Sequence, residues 1–251
     1  DRGEVARVDV ESGAATIVAR GLDQPVAVKR DSRGRLFTLD WQSGAVIGID
    51  PASGATRTLA MVAPPLDNLA IGPDDTIYVS RPSDSSIVAI DPASGAQHAL
   101  VQGRFAAPGG LAFARQDGRA TLFVADAMGW RTADVATGAV TLRPFDLLTN
   151  GSSTIAVSAS RVVLGYLRRP SVTVLDRATG QLRRSFQGLQ QPMGVFAGDD
   201  GTIHVVDHAS GELLRLVEAD GSRRVIASGL EGPVGLAQDA RGRLLVSEAR
   251  A

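Results

Sequence analysis

Three histidines and a scattered set of acidic side chains are the residues of this sequence that could do chemistry. His208 directly follows Asp207, and a histidine beside an acid can act as a general base, so this pair is the candidate for catalysis. His204 stands where other segments of the chain place an aromatic residue, which favours a packing role. His98 follows a D-P-A-S-G turn and is expected on an outer strand. The spacing of the three therefore does not predict a three-histidine zinc site.

Composition excludes several other kinds of chemistry. The chain has no cysteine, so it has no disulfide, thiolate metal site or cysteine nucleophile. Cysteine usage therefore does not indicate whether the protein works in an oxidising or a reducing compartment. No G-x-S-x-G element lies between a strand and a helix. A net charge of -1 argues against nucleic acid as a partner. The sequence contains no run of 18 or more apolar residues, so it does not predict membrane insertion.

The elements that must position these residues come from an internal repeat. The strings VESGA, DPASGA, DPASGA, VATGA, RATGQ and EADGS recur at intervals of 41 to 43 residues. Their glycines are Gly13, Gly54, Gly95, Gly138, Gly180 and Gly221. The step from the last of these through the two chain ends back to the first is also 43 residues, so the repeat behaves as though the chain were a circle.

Each unit predicts four short strands. Between residues 24 and 60 the segments VAVKR, RLFTL, AVIGI and TRTLA are separated by turns rich in Gly, Pro, Asp and Ser, and no stretch has the period of a helix. Six such units predict an all-β fold, a six-bladed β-propeller of four-stranded antiparallel blades. The last blade is expected to close from N-terminal strands within 1–21 and C-terminal strands within 232–251, which hides two sheet edges.

We therefore expect one propeller domain over residues 1–251. Its blades are expected at about 22–62, 63–104, 105–147, 148–188, 189–230, and 231–251 together with 1–21.

The units have the form P-x-G-L-A-x-D-x-x-G-x-L-x-V followed by a half that ends in D-P-x-S-G. This pattern resembles NHL repeats and the related six-bladed senescence marker protein/gluconolactonase and streptogramin lyase-like families. PVGLAQDARGRLLVSEA at 233–249 carries the resemblance best, and SSTIAVSASRVVLGY at 152–166 departs from it most. The resemblance covers the whole chain and implies a propeller. It does not imply one function, because such propellers include binding modules, lactonases and lyases.

Two positions in each unit are expected to meet at one mouth of the central channel. The first is the position after the unit's proline, or the equivalent position where no proline directly precedes it, and gives Val26, Asp67, Gly109, Ser153, Met193 and Val234. The second closes the second strand and gives Asp40, Arg81, Asp126, Tyr166, Asp207 and Glu248. An acid at the second position commonly accepts backbone N–H bonds, which favours a structural role. Asp67 with Asn68, Arg81 and Tyr166 depart from the pattern and, with Asp126 and Glu248, are candidate ligand-binding residues.

The resemblance also implies a possible metal site. Gluconolactonase-like enzymes hold a divalent cation with a Glu from an E-G-P motif and with Asn or Asp side chains of other blades. Here Glu231 begins an E-G-P element, and Asp67 and Asn68 lie two blades further on. The next two blades offer Gly109-Gly110 and Ser152-Ser153 instead of acidic or amide ligands. Glu231, Asp67 and Asn68 are thus candidate ligands for Ca²⁺ or another divalent cation, with no cofactor certain.

The segment GWRTADVATG contains two further candidate ligand-binding residues, Trp130 and Arg131. The tryptophan could stack on a ligand or fill a gap beside a short strand. Together with Arg81, Arg168 and Arg169, Arg131 could give the mouth a positive sector that attracts a carboxylate; solvated surface arginines are the alternative.

Two functions stay open. The first is a module that binds a small molecule, a peptide or a protein at the channel mouth. The second is a divalent-metal-dependent lactonase, hydrolase or lyase. The leaderless N-terminus leads us to expect trimmed ends at Asp1 and Ala251, and either a monomer or part of a longer chain. An exported bacterial protein, periplasmic or extracellular, is slightly favoured over a cytosolic one.

Overall fold

A computed structural model describes residues 3–142 and 149–249, which form six four-stranded antiparallel sheets around a central channel. The chain begins with β1 (Gly3–Val8) and β2 (Ala15–Leu22), the two outer strands of blade 6. Blade 1 contains β3 (Pro25–Arg30), β4 (Leu36–Asp40), β5 (Ala45–Ile49) and β6 (Thr56–Met61). Blade 2 contains β7 (Leu69–Ile71), β8 (Ile77–Arg81), β9 (Ser86–Ile90) and β10 (Gln97–Val101). Blade 3 contains β11 (Pro108–Gln116), β12 (Arg119–Asp126), β13 (Gly129–Asp134) and β14 (Val140–Leu142).

The second half of the ring repeats this order. Blade 4 contains β15 (Thr154–Val157), β16 (Arg161–Gly165), β17 (Ser171–Asp176) and β18 (Leu182–Gln187). Blade 5 contains β19 (Pro192–Ala197), β20 (Ile203–Asp207), β21 (Glu212–Leu216) and β22 (Arg223–Ala227). Blade 6 adds β23 (Pro233–Gln238) and β24 (Leu244–Glu248) to β1 and β2. A single 3₁₀ turn at Pro82–Asp84 is the one helical element within these described ranges.

The predicted fold class is therefore confirmed. The expected boundary between blades 3 and 4, at residues 147 and 148, lies outside the described residues, as do Asp1 and Ala251. Over the two described stretches, no helix has the length and apolarity needed to cross a membrane.

Burial in blade 1 is greatest in the second strand and least in the outermost strand. All five residues of β4 are buried because this strand has a neighbouring strand on each edge and an adjacent blade against each face. Outermost strands such as β6 are mostly exposed and carry polar residues. This difference explains why the second strand of each blade is mostly apolar, whereas outermost strands such as β6 carry polar residues at their exposed positions.

The hydrophobic core is divided into six layers, each between two neighbouring blades of the described chain. One layer, for example, packs Phe37 and Leu39 of blade 1 against Ile77 and Val79 of blade 2. Another packs Val5 and Leu245 of blade 6 against Leu36 of blade 1 and so completes the ring. Removing one blade would expose two layers at once, so the blades stabilise one another cooperatively.

The chain ends form one sheet. Strand β1 pairs antiparallel with β24, with Glu4 opposite Glu248 and Val8 opposite Leu244. Residues from the two ends of the sequence thereby supply two strands each to blade 6. The expected closure of the last blade is confirmed.

The two D-P-A-S-G turns, in blades 1 and 2, pack closely against the preceding blade. In blade 1 the Asp50 carboxylate accepts the N–H of Ala52 at 2.8 Å, and Gly54 takes a positive φ of 73°. A Cβ at Gly54 would lie 2.6 Å from the carbonyl oxygen of Val18 in blade 6. Glycine is therefore required here both for the turn and for the close approach of two blades.

Candidate functional site

A cavity of about 480 Å³ opens at the end of the channel where the first strands begin and the second strands end. We call it the upper mouth. Its lining residues are Gln24, Val26, Trp41, Asp67, Asn68, Ser153, Leu167, Met193, His208, Val234 and Ala249. Five of the six residues expected to follow each unit's proline at this mouth are among them.

Asp67 is the acidic side chain of the upper mouth. It lies just before β7, and its backbone N–H donates to the carbonyl oxygen of Ser80 at 3.2 Å. Its carboxylate accepts no hydrogen bond from the residues that the structure describes. Because the half-buried carboxyl has lost much of its contact with water, its pKa is raised to about 7. Near neutral pH this group can therefore either donate or accept a hydrogen bond.

Gly109 makes room for this carboxylate. A Cβ at Gly109 would lie 3.3 Å from Oδ1 of Asp67 and 2.7 Å from the carbonyl oxygen of Ser153. The position after the proline of blade 3 therefore requires glycine, because a side chain there would collide with its neighbours. Glycine lets the acid of blade 2 and the backbone of blade 4 approach the same wall of the mouth.

Asn68 continues from the upper mouth into the narrower part of the channel. Its Oδ1 accepts the N–H of Leu69 at 3.0 Å, and its own N–H donates to Oγ of Ser80 at 3.0 Å. The Ser80 hydroxyl in turn donates to the carbonyl oxygen of Gly109 at 2.7 Å, which joins blades 2 and 3. The loop that carries Asp67 and Asn68 is therefore held from both sides.

The remaining wall of the upper mouth is largely apolar. Trp41 is 41% exposed and Leu167 is 44% exposed, high fractions for large hydrophobic residues. Met193 and Val26 complete this side. An exposed tryptophan beside a cavity offers a flat surface for a ligand, and burying it would be favourable.

Trp41 and Leu167 are not among the residues predicted from the sequence, although the repeat contains a signal for them. Both directly follow a residue that closes a second strand, and so do His208 and Ala249. All four line the upper mouth. Extending the set of mouth positions by one residue per repeat would have found them.

His208 lies in the upper mouth, but its partner Asp207 does not. The His208 backbone N–H donates to Gln191 O at 2.8 Å, and its Nδ1 lies 3.3 Å from the carbonyl oxygen of Pro233. The Asp207 carboxylate is buried and accepts the N–H groups of Gln190 and Gln191 at 2.6 and 2.8 Å. The two candidate catalytic residues therefore face different surroundings.

Four acids that close second strands hold the loop preceding their own blade. Asp207 is one, and Asp40 accepts the N–H of Gln24 at 2.8 Å in the same way. Burial opposes ionisation of Asp40, but hydrogen bonds from Ser43 and Gln24 outweigh it and lower its pKa. Asp126 and Glu248 accept the corresponding N–H groups in blades 3 and 6. We call these four residues the latch acids: Asp40, Asp126, Asp207 and Glu248.

Blade 2 has an arginine where the latch acids occur, and the reason lies in the loop that it faces. The positions that correspond to the N–H donors are Pro64 and Pro65, and proline has no N–H to donate. Arg81 instead donates through Nε to the carbonyl oxygen of Ala63 at 3.1 Å and pairs with Asp84 at 2.8 Å. In blade 2 the side chain is therefore the donor and the loop is the acceptor, the reverse of the arrangement at the latch acids.

Blade 4 uses a related arrangement. Tyr166 is fully buried in place of a latch acid, and the Arg169 guanidinium lies over its ring at 4.1 Å from the centroid. Arg169 also donates to the carbonyl oxygen of Asn150 at 2.9 Å. Both blades that lack a latch acid therefore use an arginine to hold a carbonyl of the incoming loop.

Trp130 and Arg131 lie away from the upper mouth. Trp130 is 4% exposed and stacks on Phe123, with ring centroids 5.9 Å apart. Arg131 pairs with Asp126 at 2.8 Å and donates to the carbonyl oxygen of Arg104. Arg81, Arg131 and Arg169 thus each donate a hydrogen bond to a carbonyl oxygen of the protein itself.

The three candidate metal ligands are only partly brought together. Asp67 and Asn68 share the upper mouth, whereas Glu231 is exposed and does not line it. Within residues 3–142 and 149–249, no group of three or more His, Asp or Glu side chains could hold a metal ion. One carboxylate and an amide whose oxygen already accepts a hydrogen bond do not fit the oxygen-rich cage that Ca²⁺ requires.

The other two histidines have surroundings of different kinds. His98 is exposed on the outermost strand of blade 2. His204 is buried and packs against Phe196, with ring centroids 6.2 Å apart. Burial lowers the pKa of His204 to about 4, so its ring is neutral at physiological pH.

No family model matches the sequence, and no curated protein matches it either. The fold, in contrast, is shared with solved structures. Virginiamycin B lyase from Staphylococcus aureus superposes with a TM-score of 0.67 at 13% identity, over 90% of this chain and 78% of that chain.

Two further solved structures are similar. A nidogen/laminin complex contains a chain with a TM-score of 0.75 at 13% identity, over 88% of this chain and 91% of that chain. A streptogramin B lyase gives a TM-score of 0.65 at 12% identity, over 99% and 98% of the two chains. At such identities the likeness establishes the fold alone, and this chain is a six-bladed β-propeller.

Proposed function

We propose that this chain is a ligand-binding β-propeller of the NHL-repeat type whose site is the upper mouth. The ligand combines an apolar body with a positively charged or hydrogen-bond-donating group. The body covers Trp41, Leu167 and Met193, and the polar group reaches Asp67. The observation that carries this proposal is an acid, Asp67, whose carboxylate has no partner among the described residues and lies inside a cavity with exposed apolar walls.

The electrostatics favour a cation. Above its pKa of about 7 the Asp67 carboxylate is a negative charge at a partly dehydrated position, with no ion pair to any residue of 3–142 or 149–249. An ammonium group placed beside it would gain more than the same pair would gain in water, because the effective dielectric constant is lower. A neutral alcohol of the same shape would keep the apolar contacts and lose the charge pairing. This difference gives the proposal a direct test.

The experiment compares benzylamine and 2-phenylethylamine with benzyl alcohol and 2-phenylethanol at pH 8. Binding is measured by the melting temperature of the protein and by the fluorescence change of Trp41, since Trp130 is buried. We expect the amines to bind at least about tenfold more tightly than the alcohols.

Two variants locate the site. Asp67→Asn should remove the preference for the amines and leave the weak binding of the alcohols. Trp41→Ala should weaken all four compounds. Asp40→Asn is the matched control, because Asp40 accepts backbone hydrogen bonds and does not line the cavity. Equal binding of amines and alcohols, or an amine preference that survives Asp67→Asn, would contradict the proposal.

The metal-dependent lactonase or lyase is distinguished by the same melting experiment. Ca²⁺ and Mg²⁺ are added singly to protein pretreated with EDTA. The poor donor set predicts no shift. A rise in melting temperature with Ca²⁺ that Asp67→Asn abolishes would favour the metal-dependent enzyme instead.

A further inference from the structure

The opposite end of the channel contains a second cavity, of about 270 Å³, lined by the inner strands of all six blades. We call it the lower mouth. Its charged lining residues are Lys29 and Arg30 at the end of β3, and none of the acids that the structure describes lines it. Apart from Gln238, the rest of its lining is apolar. It is therefore a small cavity with two cationic groups and no carboxylate to pair with them.

Lys29 is the only lysine in a chain that has 25 arginines. Its Nζ lies 3.4 Å from the carbonyl oxygen of Leu236 on the neighbouring blade and forms no ion pair with a described residue. It also lines the constriction further up the channel. Burial lowers the pKa of this amine to about 8. About a tenth of it is therefore uncharged at pH 7, against well under a thousandth for an exposed lysine.

An arginine at this position could not supply the same chemistry. The guanidinium stays protonated, whereas a lysine amine that loses its proton becomes a nucleophile for carbonyl groups. Arg30 forms no hydrogen bond or ion pair within the described chain, and its guanidinium is available to a carboxylate.

We propose that the lower mouth captures small carbonyl compounds that bear a carboxylate, such as α-oxo acids, as an imine on Lys29. The unprotonated Nζ attacks the carbonyl carbon and forms a C–N bond. The nitrogen gives up two protons to the carbonyl oxygen, which leaves as water, and a C=N bond remains. Arg30 pairs with the carboxylate and holds the carbonyl carbon near Nζ.

Trapping with glyoxylate and sodium cyanoborohydride tests this proposal on the tag-free chain at pH 7. The cyanoborohydride supplies the hydride that reduces the imine to a stable secondary amine. Peptide mapping by mass spectrometry then separates modification of Lys29 from that of the N-terminal amine. We expect Lys29 to be modified as well as the N-terminal amine, whose ordinary pKa of about 8 is similar.

A matched variant separates the effect of the cavity from ordinary lysine reactivity. In Lys29→Arg/Arg224→Lys the chain again has one lysine, now on the exposed outer strand of blade 5. We expect the amine at position 224 to react about tenfold more slowly than Lys29 in the original chain. Similar rates, or slower reaction of Lys29, would overturn the proposal.

The role of Arg30 has its own readout. Arg30→Gln should slow trapping of glyoxylate about tenfold while leaving trapping of acetaldehyde, which has no carboxylate, nearly unchanged. An equal slowing of both aldehydes would mean that Arg30 does not recognise the carboxylate. Because trapping at Lys29 is measured in the unaltered chain, the main claim does not depend on whether the variants fold.

Discussion

Asp126 and Asp67 are carboxylates at the same end of the ring, in neighbouring blades, and their surroundings are opposite. Asp126 is fully buried, accepts the N–H groups of Ala106 and Ala107, and pairs with Arg131. Asp67 is half-buried in the upper mouth and has no such partners among the described residues. An acid with hydrogen-bond partners stabilises the fold, whereas a partly buried acid without partners destabilises it through the desolvation of its charge.

The position of each acid in the repeat explains this difference. Asp126 stands where three other blades also place an acid, and each latch acid faces a loop whose N–H groups need an acceptor. Asp67 stands where the other blades place small or apolar residues, so no repeated partner awaits it. Regular composition marks structure here, and a departure from it marks the candidate site.

The largest expected effect comes from breaking the sheet that contains the latch acid Glu248. Deleting residues 1–20 removes β1 and nearly all of β2, which leaves β24 with an unpaired edge and exposes the core layers of blade 6. We expect the truncated chain to unfold or aggregate. Circular dichroism and gel filtration provide the measurement, and a soluble truncated chain with an unchanged melting curve would disprove the closure.

The next effect concerns a single latch acid. Asp126→Ala leaves two loop N–H groups without an acceptor and the Arg131 guanidinium without its carboxylate. We expect a loss of about 3–5 kcal/mol in the free energy of unfolding, measured by urea denaturation. Asp50→Ala is the control, since its carboxylate supports only an exposed turn, and should cost much less. Equal losses would mean that the latch is not a special feature.

Replacing Asp67 is expected to raise the free energy of unfolding, whereas replacing a latch acid lowers it. Its folded pKa of about 7 lies above the ordinary value of 3.8, so between these values the folded protein holds more protons than the unfolded chain. Stability is therefore lost as the pH rises through this window, by at most about 1.4 kcal/mol per pH unit. Asp67→Asn removes that loss.

The variant should accordingly gain stability relative to the original chain between pH 5 and pH 8, by about 1–2 kcal/mol in urea denaturation. Asp40→Asn, which replaces a latch acid, should show no such gain with rising pH. Parallel pH profiles for Asp67→Asn and the original chain would show that Asp67 is not held in a dehydrated position.

The repeat predicted the blades and the shared mouth because periodicity in the chain becomes rotation about one axis. Five of the six residues expected after the proline line one cavity for that reason. The sequence could not show that Arg131 pairs with Asp126, because that contact depends on side-chain direction. It also could not show that Trp130 stacks on Phe123 inside the protein. The sequence did not predict a role for Lys29, because the burial in the channel that lowers its pKa depends on the folded structure.

The smallest effect tests why blade 2 departs from the latch pattern. Arg81→Asp restores the acid of the repeat, but Pro64 and Pro65 cannot donate an N–H to it. We expect a loss of about 1 kcal/mol, since the hydrogen bond to the carbonyl of Ala63 is removed and nothing replaces it. Adding Pro65→Gln to Arg81→Asp supplies a donor and should recover part of that loss, while Pro65→Gln alone should not stabilise the original chain. If Arg81→Asp stabilises the protein by itself in urea denaturation, the prolines are not the reason for the arginine, and the loop must present another donor to the acid.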